Sequence, residues 1–350
     1  MASASSPSWK RFIAPTVQVA VLVAVVWFLT QKIGDEWERI SEDAGKLAFD
    51  PFWLTLAGVL YLVGMLPCGL FWQKVLYALG ATPTTFETLR AYYIGHLGKY
   101  VPSKALVVVI RVALLRGRAT TATAALAVLY ETLTMMAIGA VLGSFILVVL
   151  WRGDAMMLVM GALVASLAGA IVFPPIFREL ARRAGLKRID PDALEKLSNL
   201  DFADFITSVL GIATGWFFIG ASVWSVIQAL DPHTLHFRED VMVCTAAAAL
   251  SVVFGFVSLL PGGAGVREWV LITLLGPMLE TSLAAPVVVA VVVRIVWTSA
   301  EAILAAVLYV AGKWFVRPAL VEPDSAPSAG APAESSASGT DSADSSVPQG

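Results

Sequence analysis

Residues 251–270 read SVVFGFVSLLPGGAGVREWV, an apolar stretch that is broken in its middle. The break is Pro261–Gly263, and the charged pair Arg267 and Glu268 follows where apolar sequence resumes. Proline lacks a backbone donor and clashes with the preceding helical turn, and glycine adds backbone freedom. Inside a membrane, irregular backbone is tolerated only where protein or a water-filled cavity covers it. The stretch therefore predicts a broken helix whose interruption is a candidate binding site.

The composition of the whole chain indicates a membrane protein. Of its 350 residues, 58% are hydrophobic and only 14% are charged, and the mean hydropathy is +0.78. Such values are typical of multi-spanning membrane proteins and not of soluble enzymes. The net charge of -2 gives no basic signal for nucleic acid, so no nucleic-acid partner is expected. Cys68 and Cys244 lie in apolar runs and indicate neither a disulfide framework nor a metal site.

Apolar runs of about 20 residues predict the membrane-spanning helices. Full-length runs lie at 12–30, 51–72, 120–150, 155–173, 205–230, 241–260 and 284–310, and a half-length run lies at 266–278. Together with a re-entrant or broken helix at 91–115 and the broken helix at 251–278, they predict an all-α polytopic membrane protein. The expected number of transmembrane helices is about eight.

The chain divides into three predicted parts: a cytoplasmic N-terminus at 1–11, a transmembrane domain at 12–316 and a tail at 317–350. The run at 12–30 follows two basic residues, as in a signal peptide, but a poor cleavage site follows it and many runs come later. We therefore interpret it as an uncleaved first helix. The tail is rich in Ser, Ala, Pro, Glu and Asp and has little to bury, which predicts a disordered cytoplasmic segment.

The distribution of Lys and Arg predicts the topology. With the N-terminus in the cytoplasm and 91–115 entering and leaving on one side, the inner segments hold 14 basic residues and the outer loops 5. The basic polar loop at 174–204 then lies inside, in agreement with the positive-inside rule. We therefore expect both termini on the cytoplasmic side of the cytoplasmic (inner) membrane.

Charged residues remain within the predicted membrane region. The basic ones are Lys99, Lys104, Arg111, Arg267 and Arg294, and the acidic ones are Glu131, Glu268 and Glu301. Each charge near a helix centre costs about 2.5–3.5 kcal/mol, so each is expected to face a partner or a wet cavity. The alternative for a residue such as Lys99 or Arg111 is a side chain that reaches the membrane surface.

The acidic residues offer counter-charges for this basic set. Glu131 is a plausible partner for one of the basic residues. Arg294 and Glu301 share one helix face and are expected to pair through a neighbour. A structural ion-pair role for these two is as well supported as a functional one.

The sequence contains two interruptions of the same kind. Each has an apolar approach, a break containing proline, and a restarting helix with an early basic residue, Lys104 in the first and Arg267 in the second. Ser103 is placed to cap the first restarting helix, and Arg111 shares a face with Lys104. A helix N-terminus attracts anions, and paired broken segments indicate a transporter's binding site. The alternative is a pair of packing kinks that bind no ligand.

Motifs for catalysis are not found in the sequence. There is no phosphate-binding loop for ATP hydrolysis and no nucleophile–His–acid set. His233 and His236 beside acidic residues are weak evidence for a metal site. The sequence therefore predicts no catalytic residues, no metal, no cofactor and no enzymatic activity.

Three stretches together resemble a known family. The segment YYIGHLGKYVPSKALVVVIRVALL at 92–115 resembles a signature G-K-Y-x-P-G-K followed by an apolar run and an arginine, with Ser103 in place of the glycine. VLYETLTMM at 128–136 resembles an E-R pair, with Thr132 in place of the arginine. LLPGGAGVREWVL at 259–271 matches the signature P-G-G-x-G-x-R-E, and Arg294 matches an arginine in the final helix. The chain thus resembles, over 12–315, the flippase-like transmembrane region of lysylphosphatidylglycerol synthases, which also occurs as stand-alone proteins and beside lipid-linked glycosyltransferases.

This resemblance implies a lipid substrate of the phospholipid or polyprenyl-phosphate type. The aminoacyl-transferring domain is not expected here, because only the tail follows the last helix, so lysyl transfer is not predicted. The first hypothesis is an integral membrane protein that binds and translocates a phosphate-containing lipid between leaflets. The alternatives are a membrane subunit that presents a lipid to a glycosyl- or aminoacyl-transferase partner, and a scaffold without transport. The sequence leaves the oligomeric state open.

The residues expected to carry the first hypothesis fall into two groups. Those expected to bind the lipid head group are Ser103, Lys104, Arg111, Gly262, Gly263 and Arg267. Those expected to shape the polar cavity are Glu131, Glu268, Arg294 and Glu301. The two breaks are expected to face each other and to clasp one phosphate between Lys104 and Arg267.

Overall fold

A computed structural model describes residues 49–101, 105–150, 173–183, 196, 202–231, 237–258, 260–279 and 286–315. Their regular structure is helical. The α-helices are α1 (Pro51–Ala78), α2 (Thr85–His96), α3 (Ala105–Leu114), α4 (Thr121–Leu150), α5 (Pro174–Arg183), α6 (Phe202–Leu230), α7 (Phe237–Val257), α8 (Val266–Leu275) and α9 (Pro286–Phe315). Short 3₁₀ segments lie at Leu97–Tyr100, Pro261–Gly263 and Gly276–Met278.

Five of the described helices are long and apolar enough to cross a membrane. They are α1, α4, α6, the Asp240–Val257 part of α7, and α9 up to Trp314. The predicted fold class, an all-α polytopic membrane protein, is confirmed. The predicted run at 12–30 and nearly all of the run at 155–173 lie outside the described residues. The number of about eight crossings and the division into three parts therefore stay predictions.

The helices begin where the sequence supplies caps. At the start of α1 the Asp50 side chain accepts a hydrogen bond from the Phe52 N–H at 2.8 Å, and Pro51 occupies the first turn. At the start of α2, Thr84 and Glu87 form a reciprocal capping box. This box sets the first helical residue of α2 at Thr85, so the helical segment begins earlier than the predicted 91–115.

The core of the bundle is built around α1, α6 and α7. The helices α1 and α6 approach closely at Gly64 and Gly215, since a Cβ on Gly64 would lie 2.7 Å from the Gly215 carbonyl oxygen. The helix α9 is joined to α6 by a hydrogen bond from Trp297 Nε1 to Ser222 Oγ at 2.9 Å. These contacts bring helices distant in the sequence around one centre.

A helix forms inside the predicted polar loop at 174–204. In α5, Glu179 pairs with Arg182 and Arg183 at 2.8 Å each. Phe177 is buried, with its ring centre 4.5 Å from that of Tyr130 in α4. The start of this loop is therefore a helix that packs onto the bundle by one aromatic side chain.

Both predicted interruptions are present. We call the segment between α2 and α3 the first break and the segment between α7 and α8 the second break. The second break contains three glycines with positive φ, Gly262 (58°), Gly263 (68°) and Gly265 (79°), which only glycine adopts readily. The 3₁₀ segments of the two breaks contact each other. The described parts of the two breaks are therefore in contact with protein, as irregular backbone in a membrane requires.

Candidate functional site

The two breaks border a central cavity of about 310 Å³. Side chains from α1, α2, α3, α4, α6, α7 and α8 complete its lining. Of the residues predicted from the sequence, five line it: Arg111, Glu131, Gly262, Gly263 and Arg267. Glu268, Arg294 and Glu301 are bonded to the break residues but lie outside the lining. Ser103 and Lys104 lie outside the described residues, so the predicted clasp between Lys104 and Arg267 stays a prediction.

Arg111 and Glu131 form an ion pair on one wall of the cavity. Arg111 Nη1 donates to Glu131 Oε2 at 2.8 Å, and both side chains are only 2% exposed. The guanidinium lies 5.0 Å from the ring centre of Trp72 and 4.3 Å from that of Tyr92. Gly95 makes room for it, because a Cβ there would collide with the Arg111 side chain. Arg111 therefore does not reach for the membrane surface, and Glu131 is its counter-charge.

Lys99 and Glu301 form a second ion pair beside the cavity. Lys99 Nζ lies 2.5 Å from Glu301 Oε1, and Glu301 is 2% exposed. The Tyr61 hydroxyl donates to the same carboxylate oxygen, and the Tyr100 hydroxyl donates to Glu301 Oε2 at 2.9 Å. His96 Nε2 is 3.9 Å from Glu301 Oε1. The carboxylate thus has three donors, as a buried charge requires.

Arg294 connects the second break to this cluster. Its Nη1 donates to the Gly262 carbonyl oxygen at 2.8 Å, and its guanidinium lies 5.5 Å from the ring centre of Tyr100. The hydroxyl of Tyr100 bonds to Glu301 and lies 3.1 Å from the Thr298 hydroxyl. Arg294 and Glu301 are therefore linked through one neighbour, Tyr100.

Glu268 caps the start of α8. The Gly265 N–H donates to Glu268 Oε2 at 2.6 Å, and Glu268 Oε1 lies 3.8 Å from Arg294 Nε. A carboxylate at this place satisfies a free N–H and faces the positive end of the helix. The carboxylate of Glu268 thus already occupies the N-terminus of α8. The expected anion site therefore depends on side chains more than on this helix end.

Arg267 differs from the other cations at the cavity. Gly255 and Gly263 make room for it, since Cβ atoms there would lie 2.6 Å from its Cγ and 3.0 Å from its Nε. Its Nε, like that of Arg111, is buried and has no hydrogen-bond partner among the described residues. None of the ion pairs within the described part of the chain includes it. Leaving such a donor unsatisfied costs about 1–3 kcal/mol or more, so an anion in the cavity would stabilise it.

Tyr61, His96 and Tyr100 were not predicted as site residues. His96 is the last residue of α2 and Tyr100 lies in the first break, both within the motif HLGKY, so their position in the sequence was a usable signal. Tyr61 gives no signal, because it is one aromatic residue in an apolar helix. Its place beside Glu301 depends on contact between α1 and α9. His233 and His236 lie outside the described residues.

Comparison with known proteins gives one family. A family model described as lysylphosphatidylglycerol synthase TM region matches residues 16–314. The comparison with curated proteins gives no match. The matched range contains every residue of the cavity lining and both breaks.

Proposed function

Because the chain belongs to the family of lysylphosphatidylglycerol synthase transmembrane regions, we propose that it binds a phosphate-containing lipid in the central cavity and translocates it between leaflets. The observation that carries this proposal is Arg267, a half-buried cation on the cavity wall whose Nε is buried and which has no counter-ion among the described residues. A guanidinium presents a planar fork of donors that fits phosphate oxygens. The phosphate of the lipid supplies the missing negative charge.

The walls of the cavity favour an amphiphile over a free anion. Most lining residues are apolar, among them Met65, Met135 and Met136. A volume of about 310 Å³ is at the small end of the range of roughly 300–1,000 Å³ for ligand pockets. It fits a head group, and the chains of the lipid stay outside. Leu129 lines the cavity and is also 42% exposed on the bundle surface, so α4 offers the chains a side path to the bilayer.

The proposal also covers the orientation of the protein in the membrane and the absence of a covalent reaction. The positive-inside rule supports a place in the cytoplasmic membrane with both termini in the cytoplasm. Translocation makes and breaks no covalent bond, so the protein acts as a transporter and not as an enzyme. A lipid-linked transferase is the partner expected if the protein hands its lipid on.

The test of the proposal is lipid movement in proteoliposomes. The purified full chain is reconstituted with acyl-labelled fluorescent phosphatidylglycerol, and a membrane-impermeant quencher reports the outer-leaflet fraction over time. Because charge-assisted hydrogen bonds contribute about 1.5–3 kcal/mol, Arg267→Ala should slow the movement by roughly 10- to 150-fold. Arg182→Ala is the control, since Arg182 lies on α5 with its side chain 59% exposed.

Equal rates for wild type and Arg267→Ala would remove the assigned role of Arg267. Lipid binding without movement by the wild type would support the alternative of a subunit that presents lipid to a transferase. No binding of lipid by the wild type would contradict both.

A further inference from the structure

Lys99 lies between the cavity and a buried carboxylate. It lines the cavity and is 14% exposed, while its Nζ contacts Glu301 Oε1 at 2.5 Å. Glu301 lies behind it, 2% exposed and outside the lining. An anion bound to Arg267 enters the same cavity that Lys99 faces. Two negative groups, the ligand phosphate and Glu301, therefore compete for one ammonium group.

The groups that face Glu301 come from each element packed against it. They are Tyr61 from α1, His96 from α2, Lys99 and Tyr100 from the first break, and Arg267 at longer range from α8. On α9 itself the polar neighbours are Thr298 and, through Tyr100, Arg294. The nearest polar link between α9 and α6 is the neutral pair Trp297 and Ser222. Lys99 is thus the cation in direct contact with the carboxylate.

We infer that Glu301 binds a proton together with the lipid phosphate, and that this proton frees Lys99 to become the second head-group cation beside Arg267. This inference rests on the proposed function. With Glu301 ionised, Lys99 is held by the carboxylate and the phosphate meets Arg267 alone. With Glu301 protonated, the carboxyl group stays bonded to the tyrosine hydroxyls, and the ammonium donors turn to the phosphate.

His96 gives the proton a route to this carboxylate. It lines the cavity, and its Nε2 lies 3.9 Å from Glu301 Oε1. At this distance the two atoms are not hydrogen-bonded, so a proton would pass between them only through one intervening water. When the phosphate leaves, Lys99 returns to the carboxylate and the proton goes back by the same atoms. One proton therefore enters and leaves with each head group.

Charge balance in a low-dielectric interior explains why the two events are linked. Ionised Glu301 already neutralises Lys99, so a further anion has only one unpaired cation to meet. Neutralising the carboxylate adds one positive charge to the cavity wall where the phosphate binds. By linkage, the head group binds more tightly as the pH falls, by up to about tenfold per pH unit for one proton.

The experiment measures binding of dihexanoyl phosphatidylglycerol to the detergent-solubilised full chain by calorimetry between pH 5.5 and 8.5. A phosphodiester is the right probe, because a phosphomonoester titrates near pH 6 itself. The affinity of the wild type should rise as the pH falls. Glu301→Gln should still bind and should show a shallower pH dependence than the wild type, because its side chain takes up no proton. The control Glu87→Gln, a carboxylate outside the cavity that pairs with Arg118, should keep the wild-type slope.

A second measurement needs no variant. Repeating the wild-type titration in buffers of different ionisation enthalpy gives the number of protons taken up, which should approach one per bound head group. No proton uptake, or a Glu301→Gln slope equal to that of the wild type, would overturn the inference.

These results separate the inference from the proposed function. If Arg267→Ala loses lipid binding and the wild type binds with no pH dependence, the proposed site is supported and the proton linkage is wrong. If the wild type binds no lipid at any pH, the proposed function itself falls.

Discussion

At the scale of single residues, Arg111 and Arg267 face the same cavity and differ in what balances their charge. Both have a buried Nε without a hydrogen-bond partner in the described part of the chain. Arg111 also has a carboxylate and two aromatic rings, whereas no ion pair among the described residues includes Arg267. A buried charge with a counter-ion supports structure, and one without a counter-ion supports ligand binding. We therefore assign Arg111 to the framework of the site and Arg267 to the ligand.

This assignment predicts how the ion pair of Arg111 and Glu131 responds to substitution. Glu131→Ala leaves a buried guanidinium without a counter-charge and should lower the free energy of unfolding by about 3–5 kcal/mol. The double change Arg111→Met with Glu131→Leu removes both charges and should restore most of that loss. Unfolding of the purified protein in detergent, followed by tryptophan fluorescence, measures both.

An exposed ion pair provides the comparison. Lys74 and Asp204 are also 2.8 Å apart, but their side chains are 38% and 54% exposed. Asp204→Ala should therefore cost at most about 1 kcal/mol. If Glu131→Ala cost no more than this exposed pair, the framework role of Glu131 would be wrong.

At the scale of the elements, the second break depends on backbone that only glycine adopts easily. Gly262 has φ of 58°, and a Cβ there would lie 2.6 Å from Arg294 Nη2 and 3.1 Å from Tyr100. Both its conformation and its surroundings therefore exclude a side chain.

Gly262→Ala should destabilise the protein by about 1–3 kcal/mol and weaken lipid binding at Arg267. The matched control is Gly276→Ala in the 3₁₀ turn after α8, where a Cβ meets nothing within 4 Å. That control should stay within about 0.5 kcal/mol of the wild type. Thermal unfolding with parallel lipid titration tests the pair, and equal behaviour of the two variants would contradict the role of the break.

The capping box at the start of α2 lies outside the membrane-spanning helices, and it should make the stability of the protein depend on pH. Burial raises the pKa of the Glu87 carboxyl, but hydrogen bonds from Thr84 and Arg118 outweigh this and hold the pKa below its usual range. Stability from this group is then fully present above the unfolded pKa of about 4.3 and is lost as the pH falls through the lower folded value. Between pH 6 and pH 3 the melting temperature of the wild type should fall more than that of Glu87→Gln. Parallel curves would show that the cap contributes nothing.

At the scale of the whole molecule, the sequence predicted the class of fold and the two breaks. Apolar runs and the cost of charges in lipid are properties that a sequence carries directly, so Arg111, Glu131 and Arg267, which line the cavity, could be named from the sequence. The choice of partner was not predictable in the same way. Glu301 was expected to reach Arg294 through a neighbour, and that link exists through Tyr100, but its direct ion pair is with Lys99.

Contacts between helices that are distant in the sequence explain why the other features of the site and fold were not predicted. Tyr61 and Glu301 are 240 residues apart, and no local pattern places them together. The helix α5 lies within a segment predicted as a polar loop. Its basic composition gave no sign that Phe177 is buried against Tyr130, and this contact holds the helix on the bundle.

The position of Arg294 and Glu301 on α9 has a consequence for biosynthesis. The carbonyl of Gly262, the ammonium of Lys99 and the hydroxyl of Tyr61 all take their partners from this helix. Since chains are made and inserted from the N-terminus, these polar groups are synthesised before the helix that carries their partners. In the nascent chain these groups lack their native partners until α9 is inserted, so entry of α9 is the step that completes the site.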